Sequence, residues 1–331
     1  MNRVSATTIV FFSGWLFCGC IYAEFPEVEN ARQHGAQGRV TLRVTDSTGF
    51  PVDNAEVSVA FWGSDSLPDV VAHKGNTDTN GLFVAAGITI HNMNYEIKKA
   101  DHYTTQGQYW FHRRGENCVQ NGRWQPWNLT NTVVLKEHRN PIPMYAKRVD
   151  ISIPVLDEAI GFDLEKGDWV APHGHGSHAD LIFTYNGAYD GPQVFSKRLC
   201  LAFNNNKDGL RPFPLDKASE LMSMYSAPDD DYATSLVLER ERTRTQIIKS
   251  KEFEADRYLI IRVRTVTDKE GNIISANYGK IYGPINYGRM GDAHRLIFDY
   301  YLNPTPNDRN IEFNPEKNLH ANPGKLQIYM P

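Results

Sequence analysis

The stretch GRVTLRVTDSTGFPVDNAEVSVAFW, residues 38–62, decides the fold class. Val40, Leu42 and Val44 alternate with polar residues, the two-residue period of an extended strand with one face in a core. DSTGFP then breaks the run, because Gly49 supplies a permissive backbone and Pro51 removes a ladder donor. Alternation resumes at Val57 and Val59. The reading is strand, turn, strand. It repeats outward: in TDTNGLFVAAGI, residues 77–88, the tight-turn dipeptide Asn80-Gly81 precedes an apolar strand from Leu82 to Val84. NYEIKKADHY and NTVVLKE each add a strand. Short strands between turn signals, with no long helical period, predict an antiparallel sandwich.

The pattern Val44-x-Asp46-x-x-Gly49-x-Pro51-Val52-x-x-Ala55-x-Val57, followed by Thr77-Asp78-x-x-Gly81-x-Phe83, resembles the carboxypeptidase regulatory-like domain. That resemblance covers about a hundred residues, taken as 36–138. It implies a transthyretin-like or bacterial immunoglobulin-like sandwich of the kind found in exported proteins. It brings no catalytic residue with it, since the family is named for an accessory domain beside a peptidase. One part departs from the pattern: QGQYWFHRRGENCVQNGRWQPWNLTN is a long insertion that holds three of the chain's six tryptophans, Trp110, Trp124 and Trp127. Exposed, they would form a stacking platform for a glycan; buried, they would pack across a hairpin or against a second module.

KEHRNPIPMYAKR supplies a Pro-containing linker at 139–148, with two prolines around Ile142 stiffening it. Strand signals then return through 149–331, among them DLIFTYNG, KRLCLAFNN, ATSLVLERER and HRLIFDYYLNP. YLIIRVRTVTDKEGNIISANYGKIYG reads as a hairpin turning at DKEGN. DKASELMSMYS is expected to form one short helix, with Asp216 as its N-cap and Ala218, Leu221, Met222 and Tyr225 on one face. The second module is therefore expected to be a larger β-sandwich or jelly roll, and the whole chain all-β. The Pro- and Asn-rich C-terminal stretch reads as an ordered strap anchored by Ile311, Phe313 and Leu319. The family of this second module is not recognised.

Of the 331 residues 41% are hydrophobic and 22% charged, a balance that supports real cores. A net charge of −4 with no basic run excludes a nucleic-acid footprint. MNRVSATTIVFFSGWLFCGCIYAEF has one early positive charge, an apolar stretch and small residues beyond, the layout of a bacterial secretory signal. Cleavage after Ala23, giving a signal peptide at 1–23, competes with lipidation at Cys20. Either way the protein is expected in the periplasm or at the cell surface, with no transmembrane segment in the mature chain. Cys118 and Cys200 are then the remaining cysteines; a disulfide between them and two separate buried thiols are both compatible with an oxidising compartment.

DWVAPHGHGSHADLIF, residues 168–183, carries His173, His175 and His178. Two imidazoles two residues apart share one side of an extended backbone, so these three could hold a zinc ion, with Asp180 as a fourth ligand or a partner that orients a histidine. The spacing comes within one residue of the H-x-H-x-D-H run of metallo-β-lactamase-like hydrolases, but Ser177 stands where their aspartate ligand would be, and no function is carried over. The bland alternative is a glycine-rich loop with solvated imidazoles. If their strands are neighbours, Glu239 and Glu241 are expected to pair across strands with Arg262 and Arg264 on a solvated face; the alternative is an anionic-ligand cleft built on the arginines. The reading is an exported, non-catalytic protein of two β modules with a binding or structural role, meeting a glycan or another cell-surface protein and needing no cofactor. Its alternatives are a metal-dependent hydrolase at the histidines and a carbohydrate-binding protein at the tryptophans.

Overall fold

The two Asp-x-x-Gly turns owe their shape to one aspartate each. Asp46 Oδ1 accepts the backbone N–H groups of Thr48 and Phe50 at 2.8 and 2.9 Å, and Asp78 Oδ1 accepts those of Asn80 and Leu82 at 2.9 and 2.8 Å. Gly81 has φ +72°, and a Cβ there would stand 2.3 Å from the carbonyl oxygen of Val44. The second turn thus packs directly onto the first strand, which is why the two motifs occur together.

A computed structural model describes residues 25–63, 72–321 and 328–331. The expected signal peptide, residues 1–23, and the alternative lipidation site Cys20 lie outside the described residues. The first nine strands are β1 (Ala36–Thr45), β2 (Glu56–Phe61), β3 (Ala72–Asn76), β4 (Leu82–Thr89), β5 (Asn92–Lys98), β6 (Thr105–Trp110), β7 (Val119–Gln120), β8 (Arg123–Trp124) and β9 (Leu129–Val134). Strands β4-β1-β8-β7 form one sheet, with β9 joining β1 in parallel; β3-β2-β5-β6 form the other. The inward residues of both sheets, among them Leu42, Val44, Val57, Val59, Met93 and Ile97, make one core.

The chain continues through β10 (Tyr145–Ser152), β11 (Ala159–Asp163), β12 (Asp168–Trp169), β13 (Leu181–Tyr189), β14 (Phe195–Ala202) and β15 (Gly209–Pro214). It ends with β16 (Ser235–Arg242), β17 (Ile247–Lys251), β18 (Arg257–Thr267), β19 (Ile273–Met290) and β20 (Ala293–Leu302). A five-stranded sheet, β10-β20-β19-β18-β15, packs on a six-stranded sheet, β12-β11-β13-β14-β16-β17, around a core that includes Phe162, Phe183, Leu259, Ile261 and Phe298. The five-stranded sheet is covered on its other face as well, where Ile260, Tyr278 and Tyr301 meet Ile311, Phe313 and Ile328 of the C-terminal strap. Burial on both faces explains the unbroken apolar run YLII in β18. The DKEGN hairpin between β18 and β19 is present.

Four expectations are corrected. Residues 216–226 form no helix; Gln106 donates its N–H to Ala218 O at 2.7 Å and Glu220 donates to Thr104 O at 2.9 Å, so the segment extends the four-stranded sheet beyond β6. The unpaired backbone of an edge strand outcompeted the local helical period. The described residues do hold a helix, Pro26–His34, ahead of β1. Of the two arrangements left open for the cysteines, the structure has separate thiols, Cys118 buried in the core of the first sandwich and Cys200 half-buried on β14. Glu239 and Glu241 lie in a different sheet from Arg262 and Arg264: Glu239 is opposite Arg198 and Lys251, and Glu241 is opposite Lys249. Of the strap's anchors Ile311 and Phe313 are buried, but Leu319 is exposed; Tyr145–Arg148 of the linker belong to β10.

Candidate functional site

Period-two alternation sorts the four-stranded sheet into an inner and an outer face. Thr105, Gly107 and Tyr109 of β6 point inward, leaving Gln106, Gln108 and Trp110 outside. The register then aligns three rows across the outer face: Ser58–Glu96–Gln106, Ala60–Asn94–Gln108, and Asn92–Trp110. Trp62, one residue past β2, continues the last row, its N–H donating to Asn92 O at 3.1 Å. At two residues per row the three rows span about 14 Å.

Trp62 and Trp110 are 49% and 52% exposed, whereas Asn92 between them is 3% exposed. The ring of His91 meets both tryptophans edge-on, with centroids 6.0 Å from Trp62 and 5.3 Å from Trp110. Burial and the nearby Arg32 push the His91 imidazole below its ordinary range, so it is neutral at pH 7. Asn92 Oδ1, Asn94 Oδ1 and His91 Nδ1 are buried and find no hydrogen-bond partner among the described residues.

Beside this aromatic row runs a groove of about 500 Å³ whose side chains include Ser58, Asn94, Glu96, Gln106 and Gln108. It is continuous through Glu96 and Gln106 with a second groove of about 420 Å³, walled by Lys217–Glu220 of the strand-like segment and by Lys98. Gln106 Nε2 donates to Glu96 Oε2 at 2.7 Å, and Lys98 pairs with the same carboxylate. The Lys98 contact chiefly, against a smaller burial effect, holds Glu96 below the usual carboxylate range. Glu96 is therefore an ionised acceptor at neutral pH. The face combines apolar ring surface at one end with amide donors and acceptors and one carboxylate along its length.

The tryptophans of the insertion do not form one platform. Trp110 is on the outer face, but Trp124 is fully buried and donates Nε1–H to Thr89 O at 2.8 Å, and half-buried Trp127 lies under Arg123. Trp62, the second ring of the observed row, lies outside the insertion. Its place in the alternation after Val57 and Val59 was the signal that could have found it.

The histidine loop has a different organisation. Asp163, 1% exposed, accepts backbone N–H groups from Ser177 and His178 at 2.9 and 3.0 Å and from Glu165 and Lys166 at 2.9 and 3.1 Å. Asp168 accepts His175 N–H and holds its ring, each at 3.0 Å. Gly174 and Gly176 allow the loop to lie against Trp169 O, which a Cβ at either position would approach within 2.4 and 2.9 Å. His173, His175 and His178 are all exposed, and among the described residues no group of three or more His, Cys, Asp or Glu side chains is placed to hold a metal ion. Asp180 is committed to Arg264, whose guanidinium also meets Asp163 and Glu165.

No protein-family model matches the chain, and no curated protein does. Solved structures similar to it include 3-chlorocatechol 1,2-dioxygenase from Rhodococcus opacus 1CP, at 13% identity and TM-score 0.26 over 32% of this chain and 61% of that one. The shaft pilin SpaA from Lactobacillus rhamnosus GG is similar at 11% identity and TM-score 0.20 over 83% and 94%. A DUF3823 family protein from Parabacteroides merdae ATCC 43184 is similar at 10% and TM-score 0.21 over 69% and 91%. The chain spans 54–61% of the length of the catechol dioxygenases it matches. Likeness this weak carries no argument about activity. The all-β architecture stands on the sheets themselves, and among the described residues no helix is long and apolar enough to cross a membrane.

Proposed function

We propose that this protein is a non-catalytic carbohydrate-binding protein, exported to the periplasm or cell surface, and that the outer face of β3-β2-β5-β6 receives a glycan chain. The observation that carries this reading is the alignment, on one face, of exposed Trp62 and Trp110 with the amide-lined groove beside them. A pyranose presents an apolar face of C–H groups and a rim of hydroxyls. Tryptophan faces match the first, and Asn94, Gln106, Gln108 and Glu96 match the second. Export rests on the apolar leader with its Ala23 or Cys20 alternatives. The Asp46 and Asp78 turns support reading residues 36–138 as a divergent carboxypeptidase regulatory-like module.

Affinity electrophoresis of the full chain through gels containing a panel of soluble polysaccharides, with tryptophan fluorescence, tests the proposal. Retardation by at least one polysaccharide is expected, weakened tenfold or more by Trp110→Ala and by Trp62→Ala at unchanged Tm, since both rings are exposed. Trp127→Ala should leave it unchanged. Wild-type protein that runs freely in every gel, or retardation indifferent to both substitutions, would reject the glycan reading.

A further inference from the structure

A further, half-open pocket lies in the other sandwich, between the ends of β13 and β14 and the last third of β19. It is a pocket of about 220 Å³ lined by Tyr185, Tyr189, Phe195, Lys197, Tyr287 and Arg289. Pockets for drug-sized ligands run to about 300–1,000 Å³, so this one suits a single ring rather than a chain. Gly288, at φ +119°, keeps it open, because a Cβ there would stand 3.3 Å from Lys197 Cδ and 3.7 Å from the Tyr185 hydroxyl.

Its chemistry is one-sided. Tyr185 and Tyr287 are each 3% exposed with their rings edge to face at 6.2 Å, and the buried Tyr287 hydroxyl finds no hydrogen-bond partner among the described residues. Burial pushes both hydroxyls up, so they remain protonated and able to donate. Lys197 lies over the Tyr287 ring at 4.3 Å and pairs with Glu252 at 3.1 Å. Arg289 lies over the Tyr189 ring at 5.0 Å and donates Nε–H to Gly291 O, with no carboxylate partner among the described residues. Aromatic walls and a guanidinium without a carboxylate partner at the mouth meet in one small space.

We propose that this pocket binds a single six-membered ring bearing a carboxylate, the ring against the aromatic walls of Tyr189, Phe195 and Tyr287 and the carboxylate on Arg289. A uronic acid residue and an aromatic carboxylate share that chemistry. The site is independent of the sheet face in the first sandwich.

Calorimetric titration of the full chain with sodium glucuronate, sodium benzoate and glucose tests it. At least one acid is expected to bind tenfold or more tightly than glucose, and which acid does so identifies the source of the ring. Arg289→Ala should weaken that acid at least tenfold. Trp110→Ala should have no effect, which separates this result from the fate of the glycan face. Acids that bind no better than glucose, or affinity unchanged by Arg289→Ala, would overturn the assignment.

Discussion

Asp163 does at the scale of one residue what the histidine-rich sequence invited a metal to do. Its carboxylate gathers four backbone N–H groups of the loops on either side and touches Arg264. Burial raises its pKa, but the N–H donors of Ser177, His178, Lys166 and Glu165 outweigh that, and the carboxyl sits below its ordinary value. A depressed carboxylate contributes stability that is present above the unfolded pKa and lost as pH falls through the folded one. Asp163→Ala should cost about 2–4 kcal/mol, read as a lower urea midpoint, because it strands buried donors and weakens the hold on Arg264. His320 acts over a higher window. Burial first, then Lys147, lower its imidazole to about 4. Stability should therefore fall as pH drops from about 6.5 towards 4, where the unfolded chain takes up a proton that the folded chain refuses. His320→Gln should flatten that part of a Tm-against-pH profile. The glycines of HGHGSH were legible as loop formers; the acceptor that organises the loop was not, since Asp163 reaches it through tertiary contact alone.

Among elements, β6 and the 218–220 segment separate local from long-range information. The alternation along residues 105–110 sorts inward Thr105 and Tyr109 from outward Gln106, Gln108 and Trp110, and the same rule placed β1 and β2. Residues 216–226 carry a helical period that no neighbouring residue contradicts. Their partner is more than a hundred positions away, and sequence spacing cannot reveal it. Glu220→Pro removes the N–H that bonds Thr104 O and should loosen this added strand. The expected outcome is protease cleavage within 217–222 at concentrations that leave the wild type intact, with a loss of about 1–3 kcal/mol. The face of Trp62 and Trp110 was half legible for a related reason: Trp110 was singled out with its insertion, while the ring that completes the row sits on another strand.

Over the whole molecule the two sandwiches are joined by polar contacts, one set buried at Glu312 and another partly exposed at Lys136. Glu312, 1% exposed, accepts the Tyr103 hydroxyl at 2.8 Å and the backbone N–H groups of Arg139 and Asn140 at 2.9 and 2.7 Å. Lys136 Nζ pairs with Asp216 at 2.9 Å and donates to Leu221 O at 2.8 Å. Such a junction should make the chain melt as one unit. Glu312→Ala is expected to leave these donors unsatisfied and to split a single calorimetric transition into two. That a Pro-containing linker joins two β modules was readable from composition. That the modules share hydrogen bonds was not, because Tyr103, Glu220 and Glu312 are ordinary surface residues until the chain is folded. The order of synthesis gives the added strand one more consequence. β6 leaves the ribosome more than a hundred residues before the segment that covers its edge, so nascent protein carries an open strand through much of its translation. A ribosome that stalls before residue 218 would release a first sandwich whose outer groove lacks its far wall and whose edge can recruit another copy.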